Sequence, residues 1–225
     1  MFSDDEISHA AGATVPDLKL LLPKICPITD TRLSGLDHAE QVRRLIDAGA
    51  ELIQIREKSA PAIDLHKAVK DAANLVKNSQ ARLIVNDRAD VALANGVAGL
   101  HLGQDDLPPD AARQLLGNEA IIGFSTHSVE QAVAAASLPI DYIAIGPIFP
   151  TSSKENPDAT VGLAGLNAVC KVVTALPIVA IGGINDGNIV DVFRSGADSA
   201  AIIGNILQGD ISVNFRRLLN IVNNL

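Results

Sequence analysis

The sequence predicts a closed (β/α)8 barrel, a TIM barrel of the α/β class, on three observations. Short apolar runs alternate along the chain with amphipathic stretches, which is the pattern of parallel strands joined by helices. Eight such units fit within 225 residues, and no linker or change in composition divides them. No Gly-x-Gly-x-x-Gly sequence follows the first apolar run, so the competing open, doubly wound sheet is the weaker alternative.

The strands and helices follow from two different spacings of apolar residues. Short apolar runs bounded by turn residues predict strands at residues 25–29, 52–56, 82–86, 99–102, 120–125, 142–146, 177–181 and 199–203. Apolar residues at helical spacing predict helices at residues 36–48, 62–77, 109–116, 129–136, 166–174, 188–195 and 215–222. Residues 1–22 are interpreted as an N-terminal arm or an extra helix, and residues 23–225 as the barrel.

Composition excludes several classes of function. The net charge is −8 and no block of Lys and Arg stands out, which argues against nucleic acid and anionic membranes as partners. No apolar run is long enough to span a bilayer, and the acidic start is unlike a signal peptide. Cys26 and Cys170 lie in apolar runs and are predicted to be buried, reduced thiols. A cytoplasmic protein is expected; the oligomeric state is left open, and a homo-oligomer is compatible with the sequence.

The segment 52–58 carries the first indication of a ligand. Side chains alternate along a strand, so Gln54, Arg56 and Lys58 share one face, while Ile53 and Ile55 share the other. An amide and two cations on one face suit a pocket that receives a polyanion. The alternative is a strand end whose long side chains reach out to solvent.

The ends of the other predicted strands are also polar, as expected for a barrel whose active site lies at the carboxyl ends. Asp87 and Asp106 follow neighbouring strands, and two carboxylates with waters and substrate phosphates suit Mg²⁺. The alternative is that aspartates cap the following helices, with Asp105 the better cap. Gly183 and Gly204 follow the last two strands, where phosphate-binding barrels hold phosphate; tight turns without a ligand are the alternative.

Lys154 lies in a long polar loop after strand six, which is interpreted either as a lid over bound ligands or as a surface loop. His127 ends strand five, where it either takes part in proton transfer or begins the next helix beside Ser128. His101 is interpreted as a hydrogen-bonded core histidine. The remaining histidines are predicted to lie on the surface: His9, His38 and His66.

Six segments together resemble thiamine phosphate synthase, in that family's order and over about residues 25–207. The segments are Gln54-Ile55-Arg56-Glu57-Lys58, Val85-Asn86-Asp87-Arg88, His101-Leu102-Gly103-Gln104-Asp105-Asp106, Ser125-Thr126-His127-Ser128, Gly146-Pro147-Ile148-Phe149-Pro150-Thr151-Ser152-Ser153-Lys154 and Gly182-Gly183-Ile184. The resemblance implies a transferase that joins hydroxymethylpyrimidine diphosphate to a thiazole phosphate, giving thiamine phosphate and pyrophosphate. It also implies a dissociative mechanism, in which pyrophosphate leaves before the thiazole nitrogen attacks.

The resemblance implies a role for each matching residue. The diphosphate is held by Gln54, Arg56, Lys58, Asn86 and Lys154, and Mg²⁺ is held by Asp87 and Asp106. Ser125 lies near the pyrimidine, and the thiazole phosphate is held by Thr151, Ser153, Gly183, Ile203 and Gly204. Catalysis is assigned to Arg56, Lys58, Lys154 and Ser125.

The chain departs from the family pattern at two positions. Cys26 stands where the family usually has Tyr, and Gly204 stands where it usually has Ser, so details of substrate affinity are expected to differ. Two other functions are weighed: a related thiazole tautomerase that would use His127, and a non-catalytic sensor of a phosphate ligand. The tautomerase needs no diphosphate site, so the cationic and acidic set argues against it.

Overall fold

The computed structural model describes residues 21–151 and 158–225. Its eight strands form one closed parallel barrel in chain order, in which the first strand pairs with both the second and the eighth. The predicted (β/α)8 barrel is therefore confirmed. The predicted N-terminal arm, residues 1–22, lies outside the described residues except for its last two positions, so the domain boundary at residue 23 stays a prediction.

The observed elements follow the predicted order. The strands are β1 Ile25–Thr29, β2 Leu52–Ile55, β3 Arg82–Asn86, β4 Gly99–Leu102, β5 Ile121–Thr126, β6 Tyr142–Ile145, β7 Ile178–Ile181 and β8 Ser199–Ile202. The helices are α1 Thr31–Ser34, α2 His38–Asp47, α3 Ala62–Val76, α4 Ala89–Asn95, α5 Pro109–Leu116, α6 Val129–Ala135, α7 Gly162–Val172, α8 Ile189–Arg194, α9 Gly204–Leu207 and α10 Ile211–Asn223. Helices α1, α4 and α9 were not predicted; α1 and α9 have only four residues each, too few to show a helical period.

Strand residues divide into two apolar layers by their parity. Ile53 and Ile55 of β2 point outward and pack with the helices, whereas Leu52 points inward, beside Ile84 of β3. Tyr142 of β6 is also in the inner layer. This alternation places Gln54, two residues after Leu52, on the inner face as predicted, whereas Arg56 and Lys58 follow the end of β2.

Cys26 is a free thiol inside the barrel, and burial raises its pKa to about 11, so the thiol stays protonated at neutral pH. Cys170, predicted to be buried, is only partly so. Among residues 21–151 and 158–225, no helix is both long and apolar enough to cross a membrane.

One arginine ties the amino-terminal end of the barrel together. The Arg113 side chain, 15% exposed, lies 2.7 Å from the carboxylate of Asp141, which also accepts a hydrogen bond from the Ile122 amide. The guanidinium also donates to the carbonyls of Pro139, Gly117, Asn118 and Ala120. This end is remote from the strand ends that bear the predicted site, so the network stabilises the fold only.

Replacing Arg113 by methionine is expected to lower the free energy of unfolding by about 2–4 kcal/mol, because Asp141 and several carbonyls lose their charged donor. Urea denaturation measures the change. Arg194→Met is the matched control, since its pair with Asp191 is exposed at both ends (74% and 56%), and should cost less than about 0.5 kcal/mol. Equal losses in the two variants would contradict the assigned role of Arg113.

Candidate active site

The carboxyl ends of the strands meet at one mouth of the barrel, where the described members of the predicted site lie. Parallel pairing sets Ile55 beside Val85 and Asn86 beside His101, so the ends of β2, β3 and β4 are immediate neighbours. Residues that are distant in sequence are therefore brought to one polar surface.

Arg56, immediately after β2, is held by Asp30, the residue that follows β1. Its guanidinium donates to the Asp30 carboxylate at 3.2 Å, and both side chains are largely buried (13% and 4% exposed). Asp30 also caps helix α1 by accepting from the Arg32 and Leu33 amides. Sequence reasoning did not assign Asp30 to the site, because nothing in its spacing marks it as a partner of Arg56.

Glu57 organises the backbone that carries Lys58. Its carboxylate accepts from the amides of Ser59 and Ala60 at 2.7 and 3.2 Å. Partial burial raises the pKa of Glu57, but these hydrogen bonds and the neighbouring His38 outweigh the effect of burial and lower the pKa to about 2. His38 was predicted to lie on the surface, and that prediction was wrong. Its ring is 4% exposed and lies 3.6 Å from Glu57, because helix α2 turns this residue toward β1.

A cluster of opposite charges stands at the centre of the mouth. The Lys58 ammonium contacts the Asp87 carboxylate, which lies in turn within hydrogen-bonding reach of the Asp106 carboxyl group. Partial burial, and then the negative charge of Asp87, raise the pKa of Asp106. Two carboxylates held against each other beside a cation form a site that favours additional positive charge.

The backbone at Asp87 is unusual. Its φ of 63° is the only positive value among the described residues other than glycine, and the Arg88 amide bonds back to the Asn86 carbonyl at 2.8 Å. A non-glycine residue in this region is strained and occurs often at functional sites. The tight turn directs the Asp87 carboxylate toward Lys58 and Asp106.

The helix-cap alternative for the aspartates is not observed. Helix α4 begins after Arg88 and helix α5 after Pro108, and neither has a side-chain cap. Asp106 instead accepts from the Gly103 amide at 2.7 Å, within its own loop. Asp105, the better cap under that alternative, does not cap α5 either, since Pro108 takes the cap position.

The side chains of Asn86 and Gln54 lie at the barrel interior, and each amide has hydrogen-bonding capacity that a ligand could use. Asn86 is 7% exposed, and its side-chain nitrogen Nδ2 is buried without a hydrogen-bond partner among the described residues. An unpaired buried donor costs free energy unless a ligand satisfies it. Gln54 lines an enclosed cavity of about 20 Å³ under the mouth, large enough for a water molecule but not for an aromatic ring.

A wider concavity of about 490 Å³ lies on the outer face of α10. It is lined by Val213, Arg216, Arg217, Asn220, Ile221 and Asn224. These residues lie on a helix outside the barrel, away from the polar strand ends. The mouth is therefore the better candidate for chemistry despite its smaller cavity.

Ser125 is the outer member of a hydrogen-bonded chain inside the barrel. Its hydroxyl lies 2.9 Å from Nε2 of His101, and Nδ1 of the same ring lies 2.9 Å from the Tyr142 hydroxyl. Burial lowers the pKa of His101 to about 4 and raises that of Tyr142 well above its usual range. The interpretation of His101 as a hydrogen-bonded core histidine is confirmed, but its partners were not predicted.

His127 is engaged by protein groups on both sides of its ring. Nδ1 lies 2.6 Å from the Gly146 carbonyl, and Nε2 lies 3.5 Å from the Asp158 carboxylate. Ser128, just after it, caps helix α6 by accepting from the Gln131 amide. His127 is thus positioned as a structural residue between strand five and loop six.

The glycines after β7 pack against the start of loop six. A Cβ on Gly183 would lie 2.5 Å from the Pro150 carbonyl oxygen, and the residue has a φ of 65°. Both observations require glycine at position 183. Without a side chain, the backbone of the loop that follows β7 can be approached closely by a ligand. Ile203 and Gly204 follow β8, the strand paired with β7, so the two loops are adjacent.

Some predicted residues fall outside the described ranges. Thr151 is described at the beginning of loop six, whereas Ser153 and Lys154 are not. Their predicted roles stay predictions. Within the described parts of the chain no three His, Cys, Asp or Glu side chains converge on one point.

Comparison with known proteins places this geometry in a family. Residues 25–206 match the family model described as thiamine monophosphate synthase.

The chain belongs to the thiamine monophosphate synthase family.

Individual relatives agree with that assignment. The chain is 41% identical over 184 residues to thiamine-phosphate synthase of Chloroflexus aurantiacus, covering 81% of this chain and 84% of that protein. It is 41% identical over 198 residues to the synthase of Koribacter versatilis, covering 88% and 92%. The structure matches thiamine phosphate pyrophosphorylase from Pyrococcus furiosus with a TM-score of 0.81 and 35% identity, covering 89% and 96%. The resemblance stated from the sequence is thus confirmed, and neither the tautomerase nor the sensor is favoured.

Proposed function

We propose that this chain is a cytoplasmic, Mg²⁺-dependent transferase that joins 4-amino-2-methyl-5-hydroxymethylpyrimidine diphosphate to a thiazole phosphate. The products are thiamine phosphate and pyrophosphate. The observation that carries the proposal is the cluster of Lys58, Asp87 and Asp106 at the barrel mouth, beside the buried Arg56. Membership of the family supports the same reaction.

The diphosphate site is built from hydrogen-bond donors that keep some donor capacity for a ligand. The buried Asn86 Nδ2 donor has no hydrogen-bond partner among the residues that the structure describes, and Lys58 is 47% exposed, so it can turn from Asp87 toward a ligand. Arg56 is fixed by Asp30, so its remaining N–H groups are already oriented. Gln54 and Lys154 complete the proposed set.

Asp87 and Asp106 fit the proposed Mg²⁺. Their mutual contact and the raised pKa of Asp106 are relieved by a cation, and the Lys58 ammonium marks where positive charge is stabilised. Two carboxylates with substrate oxygens and waters are a usual set for this ion. When bound, Mg²⁺ supplies positive charge that neutralises the diphosphate leaving group.

The reaction breaks one C–O bond and forms one C–N bond. The electron pair of the C–O bond leaves with pyrophosphate, and the cationic methylene carbon then accepts the lone pair of the thiazole nitrogen. Arg56, Lys58 and Lys154 hold the leaving group and stabilise the charge that it gains. Ser125 lies beside the pyrimidine. No protein nucleophile or general base is required, which agrees with the engaged ring of His127.

The thiazole phosphate is assigned to the adjacent loops after β7 and β8 and to loop six. The proposed groups are Thr151, Ser153, Gly183, Ile203 and Gly204. Phosphate in barrels of this type is usually bound at the same loops by backbone N–H groups. Glycine at position 204 offers a backbone donor but no hydroxyl, so fewer hydrogen bonds to phosphate are expected from this loop.

Removing divalent metal is expected to abolish turnover. Purified protein is mixed with both substrates, and pyrophosphate release is followed before and after treatment with EDTA and after Mg²⁺ is restored. Release should need both substrates and Mg²⁺ together, because without the metal the negative charge on the departing pyrophosphate is not neutralised. Controls with a single substrate separate the rivals, since a tautomerase would convert thiazole alone and a sensor would bind without turnover. Undiminished release in metal-free protein would remove the metal from the mechanism.

A further inference from the structure

The inner face of the barrel holds one hydrogen-bonded chain that crosses three strands. The register sets His101 of β4 beside Gly123 of β5, and Gly123 beside Tyr142 of β6. The two rings meet across the glycine, with centroids 5.6 Å apart and planes inclined by 22°. A Cβ at position 123 would lie 2.0 Å from Cζ of Tyr142, so only glycine lets the tyrosine reach the histidine.

The chain continues from His101 to Ser125, two residues beyond Gly123 on the same face of β5. His101 and Tyr142 are 6% and 4% exposed, whereas Ser125 is only half-buried and borders the mouth. The three polar groups therefore run from the dry interior to the surface that receives ligand. In the apolar interior such bonds are strong, and leaving one unmade is costly.

The chemistry of the three groups sets the direction of the bonds. A neutral imidazole offers one N–H and one lone pair, so both of its bonds must point the same way along the chain. A phenol is a stronger acid than an alcohol and is the better donor. The contacts at both ring nitrogens fit either tautomer, and the acidity of the phenol favours Tyr142 donating to Nδ1 of His101 and Nε2–H donating to the oxygen of Ser125. The hydroxyl hydrogen of Ser125 is then free to point into the mouth.

We propose that His101 and Tyr142 are positioning residues that make Ser125 an oriented hydrogen-bond donor toward the bound pyrimidine. The proposal rests on the proposed function, since Ser125 is assigned there to the pyrimidine. Neither positioning residue touches substrate in this arrangement. Both act through the orientation of one hydroxyl, which reduces the entropy lost when the pyrimidine is bound for reaction.

The test compares Tyr142→Phe in two backgrounds. Phenylalanine keeps the ring against Gly123 and removes only the hydroxyl. In otherwise wild-type protein it should lower kcat about tenfold with little change in KM, as expected for one hydrogen bond made in the reacting complex. In the Ser125→Ala background it should have no further effect, because the hydroxyl to be oriented is absent.

Thr126→Val is the matched control, since Thr126 is on the same strand, is fully buried and donates to the Ala144 carbonyl on the outer face. It should lower the melting temperature and leave kcat unchanged. A loss in Tyr142→Phe that is equally large in the Ser125→Ala background would overturn the proposal, as would an equal loss of kcat in Thr126→Val. Those results would indicate a general role in packing.

A second measurement needs no substrate. Nitrogen-15 NMR of histidine-labelled, ligand-free protein should show His101 as the Nε2–H tautomer, assigned by comparison with His101→Gln, with Nδ1 shifting in Tyr142→Phe. The Nδ1–H tautomer would reverse the direction of both hydrogen bonds and refute the proposal even in an active enzyme. If the wild type releases no pyrophosphate, the proposed function is wrong, and the tautomer alone decides the direction of the chain.

Discussion

Replacing Asp87 or Asp106 by asparagine is expected to lower kcat by about 10²- to 10³-fold without loss of fold. Each carboxylate would be one of the two proposed protein ligands of Mg²⁺. Either change therefore weakens metal binding and the stabilisation of the leaving diphosphate. Asparagine suits both positions sterically. It tolerates the positive φ of Asp87, and at Asp106 it keeps an oxygen that accepts from the Gly103 amide.

The stability of these variants follows from the sign of the pKa shift. The pKa of Asp106 is raised in the folded protein, so its ionised form at neutral pH opposes folding. Neutral asparagine removes that penalty, and the free energy of unfolding should stay the same or rise. The Lys58 partner of Asp87 is 47% exposed, so loss of that ion pair costs little.

Asp105→Asn is the matched control, because Asp105 is exposed and directly precedes Asp106. Steady-state kinetics should show wild-type kcat for this variant, and higher Mg²⁺ should partly restore activity only in the two site variants. A lower melting temperature with unchanged specific activity in Asp87→Asn or Asp106→Asn would instead assign these aspartates to folding.

Replacing Lys154 by alanine is expected to lower kcat by about 10²-fold, because its charge would act most strongly when pyrophosphate departs. The melting temperature should change little. His127→Ala is the informative comparison, because the competing tautomerase function would depend on His127. Its ring bonds to the Gly146 carbonyl and faces Asp158, so its loss should cost some stability but less than about tenfold in kcat.

Steady-state kinetics of the two variants separate the competing enzyme functions. A thiazole tautomerase would need His127 for proton transfer and would have no use for Lys154. An inactive His127→Ala protein beside a fully active Lys154→Ala protein would therefore overturn the proposed transferase. Thermal melting of both variants ensures that the comparison is made on folded protein.

The barrel and the location of its site were predictable from the sequence. Strand side chains alternate with a period of two, and parallel strands joined by helices bring all carboxyl ends to one face. The inward face of Gln54 and the position of Asp87 and Asp106 at the mouth follow from these two rules. Both rules are local or topological, so they need no knowledge of which side chains touch.

Partners across strands were decided only by the tertiary structure. That Asp30 holds Arg56, that Glu57 contacts a buried His38, and that Asp105 does not cap α5 depend on loop paths that no spacing reveals. Short helices such as α1 were missed because a single turn carries no period.

The chain from Tyr142 through His101 to Ser125 shows the same limit inside the barrel. Each residue could be assigned to the inner face from its strand alone. Their contact depends on the register of β4, β5 and β6 and on the missing side chain of Gly123 between the rings. Alternation of side chains determines the face of one strand, whereas register and side-chain volume, set by packing of the whole barrel, determine which groups meet across strands.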